Sequence, residues 1–162
     1  MSKALKPGKP DLAARVEASL DRLMASTEMA ARVEANEIAD EDLDRLYDEA
    51  RQAMVDGRID AALDGFSTLA VAAPGKPEHQ FGFALCLQHF GRLEDAGRHF
   101  SAALALDPSD AACAYRLGEC LAGCGYLDDA RDALNAALAL CRLPDCDPGI
   151  APLAESLLDR LA

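Results

Sequence analysis

Six cysteines and three histidines are the residues of this chain whose types most readily support thiol or metal chemistry. Cys120 and Cys124 lie four positions apart and Cys141 and Cys146 five, so neither pair has the CxxC spacing of a zinc site. No histidine lies near enough in sequence to complete such a site. Because the chain shows no export signal, we predict that the cysteines are buried structural thiols rather than disulfides or metal ligands.

The histidines give no metal site of their own. His79, His89 and His99 recur at intervals of ten residues, which matches no single face of a helix. Cys141 is the one thiol with a cationic sequence neighbour, Arg142, and an enzyme or thiol sensor would need a thiol whose pKa is lowered in this way. We predict a protein that is not an enzyme and has no metal or cofactor, with the thiol sensor as an alternative.

Composition restricts the class of partner. The chain has 28 acidic and 16 basic residues, a net charge of −12 and 51% hydrophobic residues. That charge repels nucleic acid and anionic membranes and favours apolar or basic partners. No apolar run approaches the ~20 residues of a membrane-spanning helix, and the N-terminus lacks the apolar core of a secretory signal. We therefore expect a cytoplasmic protein without direct membrane insertion.

An internal repeat organises the rest of the sequence. Gly57, Gly91 and Gly125 are 34 residues apart, and three further columns keep the same interval. Those columns hold Ala62, Ala96 and Ala130; Phe66, Phe100 and Leu134; and Ala50, Ala84 and Gly118. Four columns with one period in three units predict a repeat architecture.

The period and the residue types resemble the tetratricopeptide repeat, a helix–turn–helix unit. The resemblance implies an all-α fold of three tandem tetratricopeptide helix–turn–helix repeats in a short right-handed solenoid. The small residues then lie where the two helices of a unit cross, and the glycine ends the first helix in the left-handed conformation. Pro74 and Pro108 match the proline that closes a unit, whereas the third unit has Arg142. The large aromatic residues usual at positions four and eleven are missing, which predicts a lighter core.

The layout of the chain follows from this period. The predicted repeats are 43–76, 77–110 and 111–144. Residues 1–42 are an N-terminal helical extension, with an amphipathic helix over about 11–24 and a short helix over about 28–38. Residues 145–162 are a linker and a C-terminal capping helix.

The inner, concave face is the predicted binding surface. The resemblance places positions five, nine and thirteen of each unit there, and we predict client binding by Tyr47, Arg51, Phe81, Leu85, His89 and Tyr115. Three aromatic residues one repeat apart are typical of a groove for an extended peptide with apolar anchors. The alternative is that these aromatics only pack between repeats. Position two holds Asp44, Glu78 and Ala112 rather than the basic residues of a carboxylate clamp.

The wider sequence is similar to the class II chaperones of bacterial type III secretion, the SycD/LcrH type. LYDEA opens the first repeat (46–50), HQFGFALC the second (79–86), and GEC (118–120) lies in the third. The similarity covers about residues 35–142. It implies a bacterial virulence-related chaperone that keeps one or two hydrophobic, pore-forming translocator proteins soluble before secretion. It also implies two further partners found in this family, a second copy that pairs through the N-terminal region and a transcriptional activator. The alternative is a general tetratricopeptide adaptor that binds an extended peptide of an unrelated partner.

Overall fold

The computed structural model describes residues 39–162 together with Glu28 and Ala31. Residues 39–162 form seven α-helices and contain no β-strand. The all-α class predicted from the sequence is confirmed. The predicted helices over about 11–24 and 28–38 lie outside the described residues, except for Glu28 and Ala31, which are helical and exposed.

Six of the helices form three consecutive pairs, and the seventh follows them. In chain order they are α1 (Asp40–Val55), α2 (Ile59–Ala72), α3 (Pro77–His89), α4 (Leu93–Leu106), α5 (Ala111–Cys124), α6 (Leu127–Leu140) and α7 (Ile150–Leu161). Each helix packs against the next one in the chain, and α7 also packs against α5. The pairs α1–α2, α3–α4 and α5–α6 repeat with the period of the sequence.

The glycine of each unit makes the turn between the two helices of a pair. Gly57, Gly91 and Gly125 have φ values of 76°, 73° and 86°, the left-handed region in which a Cβ is unfavourable. In each turn the N–H of the residue after the glycine donates to a carbonyl five residues earlier. These bonds are Arg58 to Ala53 at 2.8 Å, Arg92 to Leu87 at 3.0 Å, and Tyr126 to Leu121 at 2.9 Å. The predicted role of the three glycines is therefore confirmed as a Schellman-type helix end.

The other repeated columns form the core. Phe66, Phe100 and Leu134 are buried, each on the second helix of its pair. Small residues face them: a Cβ built on Gly118 would lie 2.8 Å from the Leu134 side chain. Small residues thus allow the two helices of a unit to approach closely, which is the packing that the repeat predicts.

A polar pair, buried Gln80 and half-buried His99, replaces one of the missing aromatics. Gln80 lies at the fourth position of the second unit; its Nε2 donates to the carbonyl of Ala70 at 3.2 Å, and its Oε1 lies 2.8 Å from Nδ1 of His99. Buried His79 lies beside it, and its Nδ1 has no hydrogen-bond partner among the described residues. Burial lowers the pKa of His79 and of His99.

Candidate peptide-binding groove

Four of the six predicted site residues lie together. Tyr47 and Arg51 of α1 face Phe81 and Leu85 of α3 across a depression of about 360 Å³, which we name the Tyr47–Phe81 groove. Its other lining residues are Met54, Phe66, Pro77, Glu78, Gly82, Asp107 and Asp110. The first helices of two neighbouring units therefore form one surface, and the loop before α5 closes one end of it.

The aromatic rings of the groove pack against buried side chains. The ring of Tyr47 packs edge-on against Phe66, with centroids 5.8 Å apart, and lies 5.7 Å from the ring of His79. The ring of Phe81 packs edge-on against Phe100, with centroids 5.5 Å apart. Tyr47 and Phe81 are both half-buried. Two aromatic side chains thus face the groove in fixed orientations, which lowers the entropy cost of binding.

Gly82 allows Phe66 to reach the floor of the groove. A Cβ at this position would lie 2.3 Å from the ring of Phe66. Because that distance is far below van der Waals contact, only glycine fits with the ring in this position. Gly82 was not a predicted site residue, since the interval of 34 residues gives no matching glycine in the other units.

His89 lies next to this groove. It lines a second depression, of about 390 Å³, which shares Leu85 and Met54 with the Tyr47–Phe81 groove and also includes Arg116. His89 is exposed, and its ring packs edge-on against Phe90 with centroids 5.4 Å apart. Five of the six predicted residues therefore line two adjoining depressions.

Tyr115 is placed apart from the other five. It is only 6% exposed and belongs to the core that includes Leu157 of α7. Its hydroxyl donates to Oε1 of Glu119 at 2.8 Å. Burial, and then this hydrogen bond, raises the pKa of Tyr115 to about 12. The residue lines a separate depression between α5 and α7, so the predicted row of three aromatics is divided after the second.

Glu119 marks this division. Besides the Tyr115 hydroxyl, the carboxylate accepts from Nε2 of Gln88 at 3.2 Å and from Nη1 of Arg116 at 2.8 Å. The contact with Gln88 crosses from the second to the third unit. A polar cluster thus separates the Tyr47–Phe81 groove and the His89 depression from the pocket under α7.

Four of the six thiols have a pKa above the ordinary value. Burial raises the pKa of Cys86 to about 11 and those of Cys113 and Cys120 to about 12. The pKa of Cys141 is also raised, to about 11, first by burial and then by the adjacent Cys146 thiol. A catalytic or sensing thiol needs the opposite shift, so these groups give the thiol-sensor alternative no support.

Among the described residues, no group of three His, Cys, Asp or Glu side chains is arranged to hold a metal ion. Within 39–162, no helix combines the length and the apolar character that crossing a bilayer requires.

Two family models, both described as the tetratricopeptide repeat, match residues 47–111 and 87–140. Together they span more than half of the chain. The chain therefore belongs to the tetratricopeptide-repeat proteins, as its 34-residue period predicts. A search with the sequence matches none of the curated proteins.

Several solved structures share this fold. The Yersinia enterocolitica type III secretion translocator chaperone SycD superposes with a TM-score of 0.73 at 24% identity, over 78% of this chain and 88% of its own. PcrH from Pseudomonas aeruginosa gives 0.70 at 22% identity, over 76% and 94%. The first repeat domain of Spaghetti (RPAP3), bound to an HSP90 peptide, gives 0.66 at 18% identity, over 76% and 93%.

Two of these chaperones have also been solved with peptides. SycD is in complex with a peptide of the translocator YopD, and PcrH with the chaperone-binding region of PopD; both superpose with TM-scores of 0.68. The resemblance to translocator chaperones predicted from the sequence is thus confirmed for the fold.

Proposed function

We propose that this protein is a cytoplasmic chaperone of type III secretion that binds the hydrophobic translocator proteins through its concave face. The observation that carries the proposal is the Tyr47–Phe81 groove, where two fixed aromatic rings flank an apolar floor. The fold is that of SycD and PcrH, which bind translocator peptides. A translocator segment in extended conformation would place apolar side chains on Tyr47 and Phe81.

The physical task of such a chaperone is to cover apolar surface. A protein that later inserts into a membrane exposes segments that aggregate in water, and an aromatic groove covers them without chemistry. Each buried anchor contributes roughly 1.5–3 kcal/mol before ordering costs. The net charge of −12 keeps the loaded complex soluble. Pairing of two copies through the N-terminal region remains a prediction, and so does binding of a transcriptional activator.

The alternative, a general adaptor, draws on the likeness to the Spaghetti domain with its HSP90 peptide SRMEEVD. That peptide ends in acidic residues. The Tyr47–Phe81 groove has three carboxylates in its lining, Glu78, Asp107 and Asp110, against the single guanidinium of Arg51. An acidic peptide would be repelled there, so the groove favours the translocator proposal over an adaptor for such tails.

A capture experiment in the native bacterium tests the proposal. The tagged wild type, Phe81→Glu and Leu85→Glu are compared with Val71→Glu, which changes a 39%-exposed side chain of α2 outside the groove. We expect mass spectrometry to find one or two proteins with long apolar segments bound to the wild type and to Val71→Glu only. Circular dichroism confirms that each variant is folded. Unrelated proteins, or equal capture by folded groove variants, would contradict the proposal.

A further inference from the structure

The acidic end of the Tyr47–Phe81 groove is distinct from its apolar floor. Glu78 is in the first turn of α3, and Asp107 and Asp110 lie in the loop between α4 and α5. They line the same depression as Tyr47 and Phe81. An occupant that places an apolar side chain on the two rings therefore lies beside three carboxylates.

Two of these carboxylates are held by neutral groups. Asp107 accepts from the N–H of Ser109 at 3.0 Å and from its Oγ at 2.6 Å, which lowers the pKa of Asp107. Asp110 caps α5 by accepting from the N–H of Cys113 at 2.9 Å. Hydrogen bonds of this kind fix the position of the charge and leave its sign uncompensated.

Some acidic residues outside the groove have basic partners. Asp95 pairs with Arg92 and Arg98 at 2.6 and 2.8 Å, and Glu119 pairs with Arg116 at 2.8 Å. Within residues 39–162, by contrast, no lysine or arginine forms an ion pair with Glu78, Asp107 or Asp110. The groove thus keeps an unneutralised negative charge at the end where α3 and α5 begin.

An apolar peptide that covered this end would remove water from the three carboxylates, and that desolvation opposes binding unless a cation replaces the water. A lysine or arginine side chain can both pack on the aromatic rings and replace the water at the carboxylates. Its aliphatic stem packs against an aromatic ring, and its charged head reaches the carboxylates.

We propose, on the basis of the proposed function, that the client segment carries a lysine or arginine beside its apolar anchor, and that Glu78, Asp107 and Asp110 bind this cation. The groove then selects among apolar segments by charge, so an apolar stretch flanked by acidic residues is rejected. Long-range attraction by a net charge of −12 also draws basic peptides to the whole surface, so the test must separate the groove from the rest of the molecule.

Selection from a displayed library of random peptides makes this separation. The wild type is compared with Asp107→Asn/Asp110→Asn, in which the amide oxygens still accept from Ser109 and Cys113 while both charges are lost. Asp128→Asn/Asp129→Asn, in the first turn of α6, changes the net charge equally outside the groove. Phe81→Glu shows which peptides are selected when the groove is disrupted.

We expect the wild type and Asp128→Asn/Asp129→Asn to enrich peptides with a basic residue next to an apolar one. Asp107→Asn/Asp110→Asn is expected to enrich the apolar residue alone. In a selected peptide, replacing the basic residue by glutamine should weaken binding to the wild type about three- to tenfold at low salt, and hardly at all in the groove variant.

Three other outcomes would overturn the inference, in different ways. If the wild type selects apolar peptides without enrichment of basic residues, the inferred basic residue of the client is contradicted and the proposed function is not. Equal basic enrichment on both Asn double variants would assign the preference to net charge alone. If Phe81→Glu selects the same peptides as the wild type, the groove is not the binding site, and the proposed function is contradicted as well.

Discussion

The aromatic side chains of the site have different environments, and each environment sets a different outcome for a substitution. Tyr47 and Phe81 contact the core with part of the ring and line the groove with the rest. Tyr47→Ala or Phe81→Ala is expected to weaken binding of a selected peptide by about 1–2 kcal/mol, because each removes an anchor of the interface. Isothermal titration calorimetry on the folded variants gives this value.

Tyr115→Ala is the comparison within the same column of the repeat. Tyr115 is buried with Leu157 under α7, so we expect its loss to lower the free energy of unfolding by about 3 kcal/mol. Affinity for the same peptide is expected to stay unchanged in the folded protein. A weaker affinity at unchanged stability would instead show that Tyr115 is part of the peptide-binding surface, as the sequence predicts.

Histidine burial makes the stability of the fold depend on pH. Burial lowers the pKa of His79 and of His99; Glu78 and Lys76 act on the first, and Asp95, Arg92 and Arg98 on the second, as weaker influences. The unfolded chain then takes up protons at a higher pH than the folded one. The stabilisation is therefore complete above the unfolded pKa near 6.5 and is lost as pH falls below it.

Thermal unfolding followed by circular dichroism between about pH 7.5 and 5.5 measures this loss, because ordinary carboxylates remain ionised across that window. We expect the melting temperature to fall with pH in the wild type and to fall less in His99→Gln, which no longer titrates at that position. A flat profile in the wild type, or an NMR pKa of either histidine above 6.5, would contradict the argument.

At the level of the helices, packing rather than capping determines the structure. Asp110 is the only residue whose side chain caps one of the seven helices, α1 to α7, of residues 39–162. The contacts between consecutive helices must therefore supply most of the stability, as is usual for helices of this length. The close approach of α3 to Phe66 at Gly82 is such a contact.

Gly82→Ala tests that contact. The added Cβ would overlap the ring of Phe66, and overpacking of this kind costs about 1–3 kcal/mol, against roughly 1 kcal/mol gained from helix propensity. We expect lower stability in urea unfolding together with weaker peptide binding, because Phe66 must move into the groove. Gly75→Ala is the control: nothing lies within 4 Å of its Cβ position, and the effect should stay within about 0.5 kcal/mol. Equal effects of the two substitutions would contradict this account.

The 34-residue period was enough to predict the helix pairs, the left-handed glycines and the small residues at the crossings, because all of these repeat. Features that occur once were not predictable in this way. The Gln80–His99 hydrogen bond joins residues that are 19 positions apart. Helix α7 lies outside the repeat, so its contact with Tyr115 gives no periodic signal. Asp107 and Asp110 line the groove from a loop, so a pattern that places inward positions on the first helices does not include them.

Across residues 39–162, each helix packs mainly against the helices next to it in the chain. The stability of this part of the protein is therefore close to a sum of the interfaces between neighbouring helices. The groove lies between the first and second units, whereas the pocket of Tyr115 lies at the end that α7 covers. Binding at the groove and opening of that end are therefore expected to be separate events.

Hydrogen exchange with Leu157→Ala examines this independence. Leu157, 9% exposed, fixes α7 against α5 and α6, and truncation of a buried leucine costs about 2–3 kcal/mol. We expect exchange measured by mass spectrometry to quicken in α7 and in the adjoining parts of α5 and α6. Exchange in α1 to α4 and affinity for a peptide at the Tyr47–Phe81 groove should stay as in the wild type. A uniform rise in all seven helices would mean that residues 39–162 open as one cooperative unit, and the groove would then depend on α7 after all.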